Sequence, residues 1–247
     1  MRRVMIIPAA GAGTRLGAEL PKFLVEVNGR PMLDWLLDLY APLMDEIVLV
    51  VSPAAEALVR AHLTQPATRV TLAVQASPTG MLDAILIPMP GLVGKRPLQV
   101  WVTWCDQVGV LPETVRRLRD AVDGNGQVPL VLPTSYCEEP YIHFERNTAG
   151  EITAILHRRE GDAMPPSGES DMGLFVMSDR AYFELLPEYA RAVTPGEGTG
   201  ERNFLPFIAW LRTHGGTCSV PATHEMEAVG INTPEDLQRV GEWLRNA

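Results

Sequence analysis

The residues best placed to do chemistry come early, in Pro8-Ala9-Ala10-Gly11-Ala12-Gly13-Thr14-Arg15-Leu16-Gly17-Ala18-Glu19-Leu20-Pro21-Lys22, directly after the apolar run Val4 to Ile7. Glycines after a first strand let the backbone approach a polyphosphate closely, so that its amides can point at the anion. Gly11, Gly13 and Gly17 are spaced GxGxxxG. A dinucleotide fingerprint needs GxGxxG and an acidic ribose-binding residue near the end of the second strand, and Ile47 to Ser52 followed by Pro53 offers none. A P-loop is excluded too, because no GxxxxGK followed by Ser or Thr occurs. What is left is a glycine loop with Arg15 and Lys22, two cations placed for the charge of a triphosphate. Lysine occurs only at Lys22 and Lys95 while the rest of the 21 basic residues are arginine, so the lysine at this position is not background composition.

Other chemistries lack their residues. His62, His143, His157, His214 and His224 show no paired metal-ligand spacing, and no serine sits in a GxSxG elbow.

The 247 residues are 46% hydrophobic and 21% charged, enough to bury a substantial core, which excludes a disordered, collagenous or disulfide-scaffold chain. The formal net charge of -9 provides no global positive field for a nucleic acid or an anionic membrane, so an anionic ligand must be held locally. Cys105, Cys137 and Cys218 are odd in number and lack CxxC spacing, as expected of a reduced cytoplasmic chain without structural zinc. Met1-Arg2-Arg3 before Val4-Met5-Ile6-Ile7 imitates the start of a signal peptide, but Pro8 and the glycines interrupt it far short of the ~20 residues of a membrane span. A soluble protein with no membrane partner is expected.

Apolar runs alternate with helical patterns, which predicts βα units and a largely parallel sheet. Strands are expected over Val4 to Ile7, Ile47 to Val51, Val70 to Val74, Leu98 to Thr103 and Leu130 to Pro133. Helices are expected from about Pro31, from Pro53 behind Ser52, over Gly80 to Leu86 and from Pro112. Tyr141 to Arg146 and Ile152 to Leu156, around Asn147-Thr148-Ala149-Gly150, read as an antiparallel hairpin, and Gly161 to Gly168 as a loop. Met172 to Met177 returns as a strand before a helix from Asp179. A helix around Phe204 to Leu211, a short strand near Ser219, a last strand over Ala228 to Ile231, and a helix capped by Thr233 with Pro234 at its first position complete the chain.

At Ala9-Ala10-Gly11-Ala12-Gly13-Thr14-Arg15 and Pro21-Lys22 the chain resembles the sugar-phosphate nucleotidyltransferase family, whose signature runs AAGxGTR followed by PK. Similar domains occur in N-acetylglucosamine-1-phosphate uridylyltransferases, glucose-1-phosphate thymidylyltransferases, phosphocholine cytidylyltransferases and molybdenum-cofactor guanylyltransferases. The resemblance extends over the whole chain. It implies one α/β domain over 1–247, a Rossmann-like, GT-A-like, mostly parallel sheet flanked by helices, with an inserted antiparallel hairpin subdomain at about 134–171 that binds the acceptor. It also implies nucleotide contacts from Ala9 to Thr14, and from Gln75 and Gly80 as a pair that reads a pyrimidine edge, an amide being able both to donate and to accept. Asp106, just beyond the fourth strand where open α/β sheets bind ligands, is similar to the family's magnesium aspartate, and Asn232 resembles the second Mg²⁺ ligand. The family usually carries Gly-Asp where this chain has Trp104-Cys105-Asp106.

On the acceptor side His157 stands in place of a sugar-binding glutamate, Arg159 of a lysine, Pro140 of a glycine and Asp171 of an asparagine, departures that argue against an N-acetylglucosamine phosphate. Arg158 or Arg159 is a candidate for the acceptor phosphate, with Asp171 beside it. The resemblance therefore implies a Mg²⁺-dependent transfer of a nucleoside monophosphate from a pyrimidine triphosphate to a phosphorylated small molecule, such as a sugar 1-phosphate, with release of pyrophosphate. Arg15, Lys22 and Asp106 would be the catalytic residues. A non-catalytic nucleotide-binding module on the same fold is the alternative, and a dinucleotide-dependent oxidoreductase is disfavoured by the glycine spacing.

Overall fold

A computed structural model describes residues 1–11, 16, 20–63, 69–126 and 128–246. Strand β1 (Arg2–Ala9) precedes a small ribbon of β2 (Glu26–Val27) and β3 (Arg30–Pro31), then α1 (Met32–Tyr40), β4 (Glu46–Val51), α2 (Pro53–His62), β5 (Val70–Val74), α3 (Met81–Leu86) and α4 (Met89–Leu92). Next come β6 (Leu98–Thr103), α5 (Pro112–Gly124), β7 (Leu130–Glu138), a hairpin of β8 (Ile142–Arg146) and β9 (Ile152–His157), β10 (Ser167–Asp171) and β11 (Leu174–Met177). The described chain closes with α6 (Leu186–Ala192), α7 (Pro206–Trp210), β12 (Thr217–Pro221) and α8 (Pro234–Asn246).

Eight strands form one sheet in the order β10-β7-β11-β6-β1-β4-β5, with β12 pairing β7. Strand β1 runs parallel to both β4 and β6, and β5 parallel to β4, whereas β10 and β11 join antiparallel. This is the α/β, mostly parallel sheet that the apolar runs required. Those runs are unbroken because helices cover both faces. Met5, Ile7, Leu49 and Trp101 pack with Leu36 of α1 and Leu118 of α5 on one side, while Val4, Ile6, Val50 and Val102 pack with Tyr182, Leu186 and Phe207 on the other. Burial of each such large side chain contributes about 1.5–3 kcal/mol.

The parallel strands β1, β4, β5 and β6 all end on the same side of the sheet, so the segments after Ala9, Val74 and Thr103 emerge together. No helix among the described residues is long and apolar enough to cross a membrane. The three cysteines are free, as their spacing led one to expect.

Two segments depart from the expected elements. Ser167 and Gly168, placed at the end of a loop by their residue types, open strand β10, paired with a β7 that runs on to Glu138 rather than stopping at Pro133. Ser-Gly-Glu-Ser-Asp has no apolar alternation to announce a strand, and pairing with β7 decides its conformation. Gly168 within it lies under the His143 ring, where a Cβ would collide. Ala228 to Ile231, expected as a last strand, is instead a tight turn over Glu225–Ala228 followed by a segment joined to the site by one backbone bond, Ile231 N to Asp106 O at 3.1 Å. The cause is the carboxylate of Glu227, fully buried, which accepts from the amides of Leu111 (2.9 Å), Thr223 (3.0 Å) and His224 (2.9 Å) and folds the chain around itself. The helix expected from Asp179 opens with a π turn over Ala181–Leu185 before α6.

Candidate functional site

Lys22 opens a short turn, Lys22–Leu24, whose next residue Phe23 is buried in the core, so the lysine is anchored and points the other way from its neighbour. Its Nζ donates to Asp106 Oδ2 at 2.5 Å and to Asn232 Oδ1 at 2.8 Å, joining residues 84 and 210 positions apart. The two charged side chains are each only 14% exposed.

Asp106 sits just past β6. Trp104 N donates to Gly173 O at 2.8 Å, and the Trp104 indole lies against Phe175 and Phe204, with centroids 5.2 and 6.1 Å away. The unusual tryptophan is thus an aromatic anchor for this loop, and Gly173, at φ +62°, is required because a Cβ there would strike the indole. Burial pushes the Cys105 thiol up to about 12, the Asp106 charge adding to the effect, so it is not a nucleophile. Asn232 is set by its own amide and that of Thr233, both donating to Asp236 Oδ2 at 2.9 Å, while Thr233 Oγ1 accepts from Asp236 N at 3.2 Å. This is the reciprocal cap foreseen for α8, and it leaves the Asn232 amide oxygen for Lys22.

Asp106 and Asn232 also line a cleft of about 850 Å³ whose walls include Trp104, Tyr141, His157, Arg159, Asp171, Glu201, Asn203 and Glu225. Asp171, at the end of β10, accepts from Gly173 N at 2.8 Å; burial, with the Asp106 charge behind it, pushes its carboxyl up to about 6. His157 meets the Tyr141 ring edge to face at 5.4 Å, and burial pulls its imidazole below the ordinary value, which keeps it neutral at pH 7. The Gln107 Oε1 is buried with no hydrogen-bond partner among the described residues, beside the Asp106 carboxylate in the same wall.

Of the residues singled out by sequence, Lys22, Asp106 and Asn232 come together, and Asp171 and Arg159 line the same cleft as Asp106 and Asn232. Arg158 does not: its guanidinium braces the link between β7 and β8 by donating to the carbonyls of Glu139 (3.1 Å) and Pro140 (3.2 Å). Gln75, 7% exposed at the end of β5, donates from Nε2 to Gly80 O at 3.2 Å, so the proposed base-reading pair is itself joined. Ala9, Ala10 and Gly11 lie at the end of β1; Ala12, Gly13, Thr14 and Arg15 fall outside the described residues. Sequence reasoning missed Glu160, Glu201 and Asn203. The readable signal was the alternation Gly196, Gly198, Gly200, which marks close backbone approach.

Gly80 has φ +123°, and a Cβ there would stand 2.5 Å from the Arg202 nitrogen and 2.6 Å from its carbonyl oxygen. Gly80→Ala is therefore expected to cost on the order of 2–4 kcal/mol through backbone strain and overpacking. A shift in the denaturation midpoint at unchanged m-value checks this.

The oxygen pair of Asp106 and Asn232, converging on a cation, is a donor set that fits a divalent ion completed by water and phosphate oxygens. A family model described as a MobA-like NTP transferase domain matches residues 5–169. The chain is similar to the bifunctional protein GlmU of Cutibacterium acnes, 30% identical over 245 residues that cover 98% of this chain and 57% of that protein. Bifunctional GlmU proteins of Sorangium cellulosum (28% identical, 97% of this chain and 51% of theirs) and Heliobacterium modesticaldum (27%, 99% and 52%) match over the same extent. The chain thus spans about half the length of the curated relatives it matches.

Proposed function

Because the chain belongs to the MobA-like NTP transferase domain family, we propose that it moves a nucleoside monophosphate from a nucleoside triphosphate to a small phosphorylated acceptor, releasing pyrophosphate. The observation that carries this reading is the convergence of Lys22, Asp106 and Asn232, from three distant parts of the chain, at the edge of one large cleft. A module that only bound nucleotide would have no use for a buried cation facing two oxygen ligands.

In the transfer, the amides at the end of β1 hold the phosphates and Lys22 turns from Asp106 toward charge that builds on the leaving pyrophosphate. Asp106 and Asn232 would hold Mg²⁺, which would supply charge neutralisation at the reacting phosphate. The acceptor phosphate needs no proton removed, in keeping with a cleft whose imidazole is neutral and whose lining thiol, Cys137, is kept protonated by burial. The cleft wall is rich in carboxylates, with Glu138, Glu139, Asp171, Glu201 and Glu225 against Arg159 and Arg239. A polyphosphate entering such a wall requires its own countercharge, which supports dependence on a divalent ion.

Carboxylates suit the hydroxyls of a sugar, so a sugar 1-phosphate is the first acceptor class, with Arg159 toward its phosphate and Asp171 toward its ring. The joined Gln75 and Gly80 favour a pyrimidine base, UTP or CTP. The test is pyrophosphate release with Mg²⁺ across UTP, CTP, dTTP, GTP and ATP, each against sugar 1-phosphates, phosphocholine and small phosphonates. Acceptor-dependent release with UTP or CTP, abolished by EDTA, is expected. Tight triphosphate binding without turnover over the whole panel would favour the non-catalytic module instead.

A further inference from the structure

Between α6 and α7 the chain runs Pro195-Gly196-Glu197-Gly198-Thr199-Gly200-Glu201-Arg202-Asn203, and Gly196 to Asn203 forms a strap along the cleft wall. One end is held by Glu160, just past β9 of the acceptor-side hairpin. Its Oε1 accepts from Thr199 Oγ1 at 2.6 Å and Asn203 Nδ2 at 2.8 Å, and its Oε2 from the amides of Gly198 at 2.8 Å and Thr199 at 3.3 Å. These donors hold the carboxyl well below its usual value, at about 2, so the clamp stays ionised at any working pH. A Cβ on Gly196 would lie 2.5 Å from the same carboxylate, and one on Gly198 would strike the Arg159 carbonyl, which explains the glycines.

The other end is held by the loop before α3. Arg202 N donates to Thr79 O at 2.9 Å, Leu82 N to Arg202 O at 3.1 Å, and Arg202 Nη1 reaches Asp83 Oδ1 at 2.5 Å, while Nη2 donates to Ala190 O. Gly80 lies beneath this contact, its carbonyl held by Gln75. The strap is also braced within itself, by Gly196 N to Glu201 O at 2.9 Å, Gly200 N to Gly196 O at 2.8 Å and Glu201 N to Thr199 Oγ1 at 3.2 Å. Hydrogen bonds thus run along the whole strap, with Glu160 reaching Asn203, beside the Arg202 contact, as well as Gly198 and Thr199. The strap also presents Glu201 and Asn203 to the cleft.

We infer that Glu160 is a positioning residue which, through the Gly196–Asn203 strap, makes the acceptor-side hairpin and the base loop a single two-state element, so that filling one substrate site favours the other. The part that concerns substrates rests on the reading of the 75–80 loop as the base site; the mechanical coupling does not. Coupling of this kind is reciprocal, and reciprocity is what the test uses.

Amide hydrogen exchange of the whole chain is measured for wild type, Glu160→Gln and Asp83→Asn, without ligand. Gln keeps the volume but turns an acceptor oxygen into a donor. It is expected to speed exchange at Gly198 and Thr199 at least tenfold, and at Leu82 and Arg202 on the far end by a similar factor. Asp83→Asn, on the base side, is expected to do the converse, with the amides of β1, β4 and β6 unchanged in both. In wild type the amides of Gly198, Thr199, Arg202 and Leu82 should open together, with protection factors within about threefold. If each variant loosens only its own end, or the four amides open independently in wild type, the inference is overturned; the wild-type measurement decides even if neither variant folds. With MgUTP and MgCTP as probes, Glu160→Gln should weaken binding about tenfold although Glu160 lies outside the base loop, and unchanged binding would overturn the substrate coupling. Since exchange is read without turnover, an absent transferase activity leaves the mechanical result standing.

Discussion

Asp106→Ala is expected to reduce acceptor-dependent pyrophosphate release by about 10³-fold or more while the protein stays folded. The carboxylate is one of two oxygens facing Lys22 and the charged member of the proposed metal pair. Its side chain supports no part of either core, since the β6 residues that do, Val100 to Val102, precede it. Its loop is held by backbone bonds, Trp104 to Gly173 and Ile231 to the Asp106 carbonyl, that alanine keeps. Circular dichroism should therefore resemble wild type, while the thermal midpoint falls because the buried Lys22 ammonium loses its charge partner. A folded Asp106→Ala protein that retained a tenth of wild-type turnover would remove Asp106 from the catalytic machinery and with it the proposed metal site.

Lys22→Met, which keeps the stem and deletes the charge, is expected to lower kcat by about 10²–10³-fold. A charge engaged more strongly in the transition state than in the ground state shows in kcat rather than KM alone. The geometry adds an effect of opposite sign. The ammonium now occupies the position where the Asp106 and Asn232 oxygens converge, and so competes with any divalent ion in the absence of nucleotide. Its removal should tighten Mn²⁺ binding to the nucleotide-free protein, read by titration calorimetry, while turnover collapses. Weaker Mn²⁺ binding, or turnover within tenfold of wild type, would mean that Lys22 organises the site rather than acting on phosphate.

Much of this site was legible in the chain itself. Val4 to Ile7 and the glycine loop behind it announced a buried strand and an anion-binding turn, because an apolar run without alternation is what a sheet covered on both faces demands. The rarity of lysine isolated Lys22, and Thr233-Pro234 with Asp236 marked the cap that aims Asn232. Two expectations failed for one reason. Ser167 and Gly168 belong to a strand and Ala228 to Ile231 does not form one, because each is decided by a distant partner, β7 in one case and the buried Glu227 carboxylate in the other. Arg158 and Arg159 are adjacent and alike in sequence, yet one braces carbonyls and the other lines the cleft.

The parallel strands, the helices between them and the residue types able to hold a polyphosphate can be read from the chain alone, since these depend on local periodicity and on glycine, proline and capping chemistry. Which of those residues meet depends on the folded arrangement. The Lys22 contact with Asp106 and Asn232 closes over 84 and 210 residues, and the Glu160 clamp over about forty. Contacts at such separations leave no periodic trace in the chain; they exist because the parallel strands end side by side and the connecting loops must satisfy their buried charges on one another.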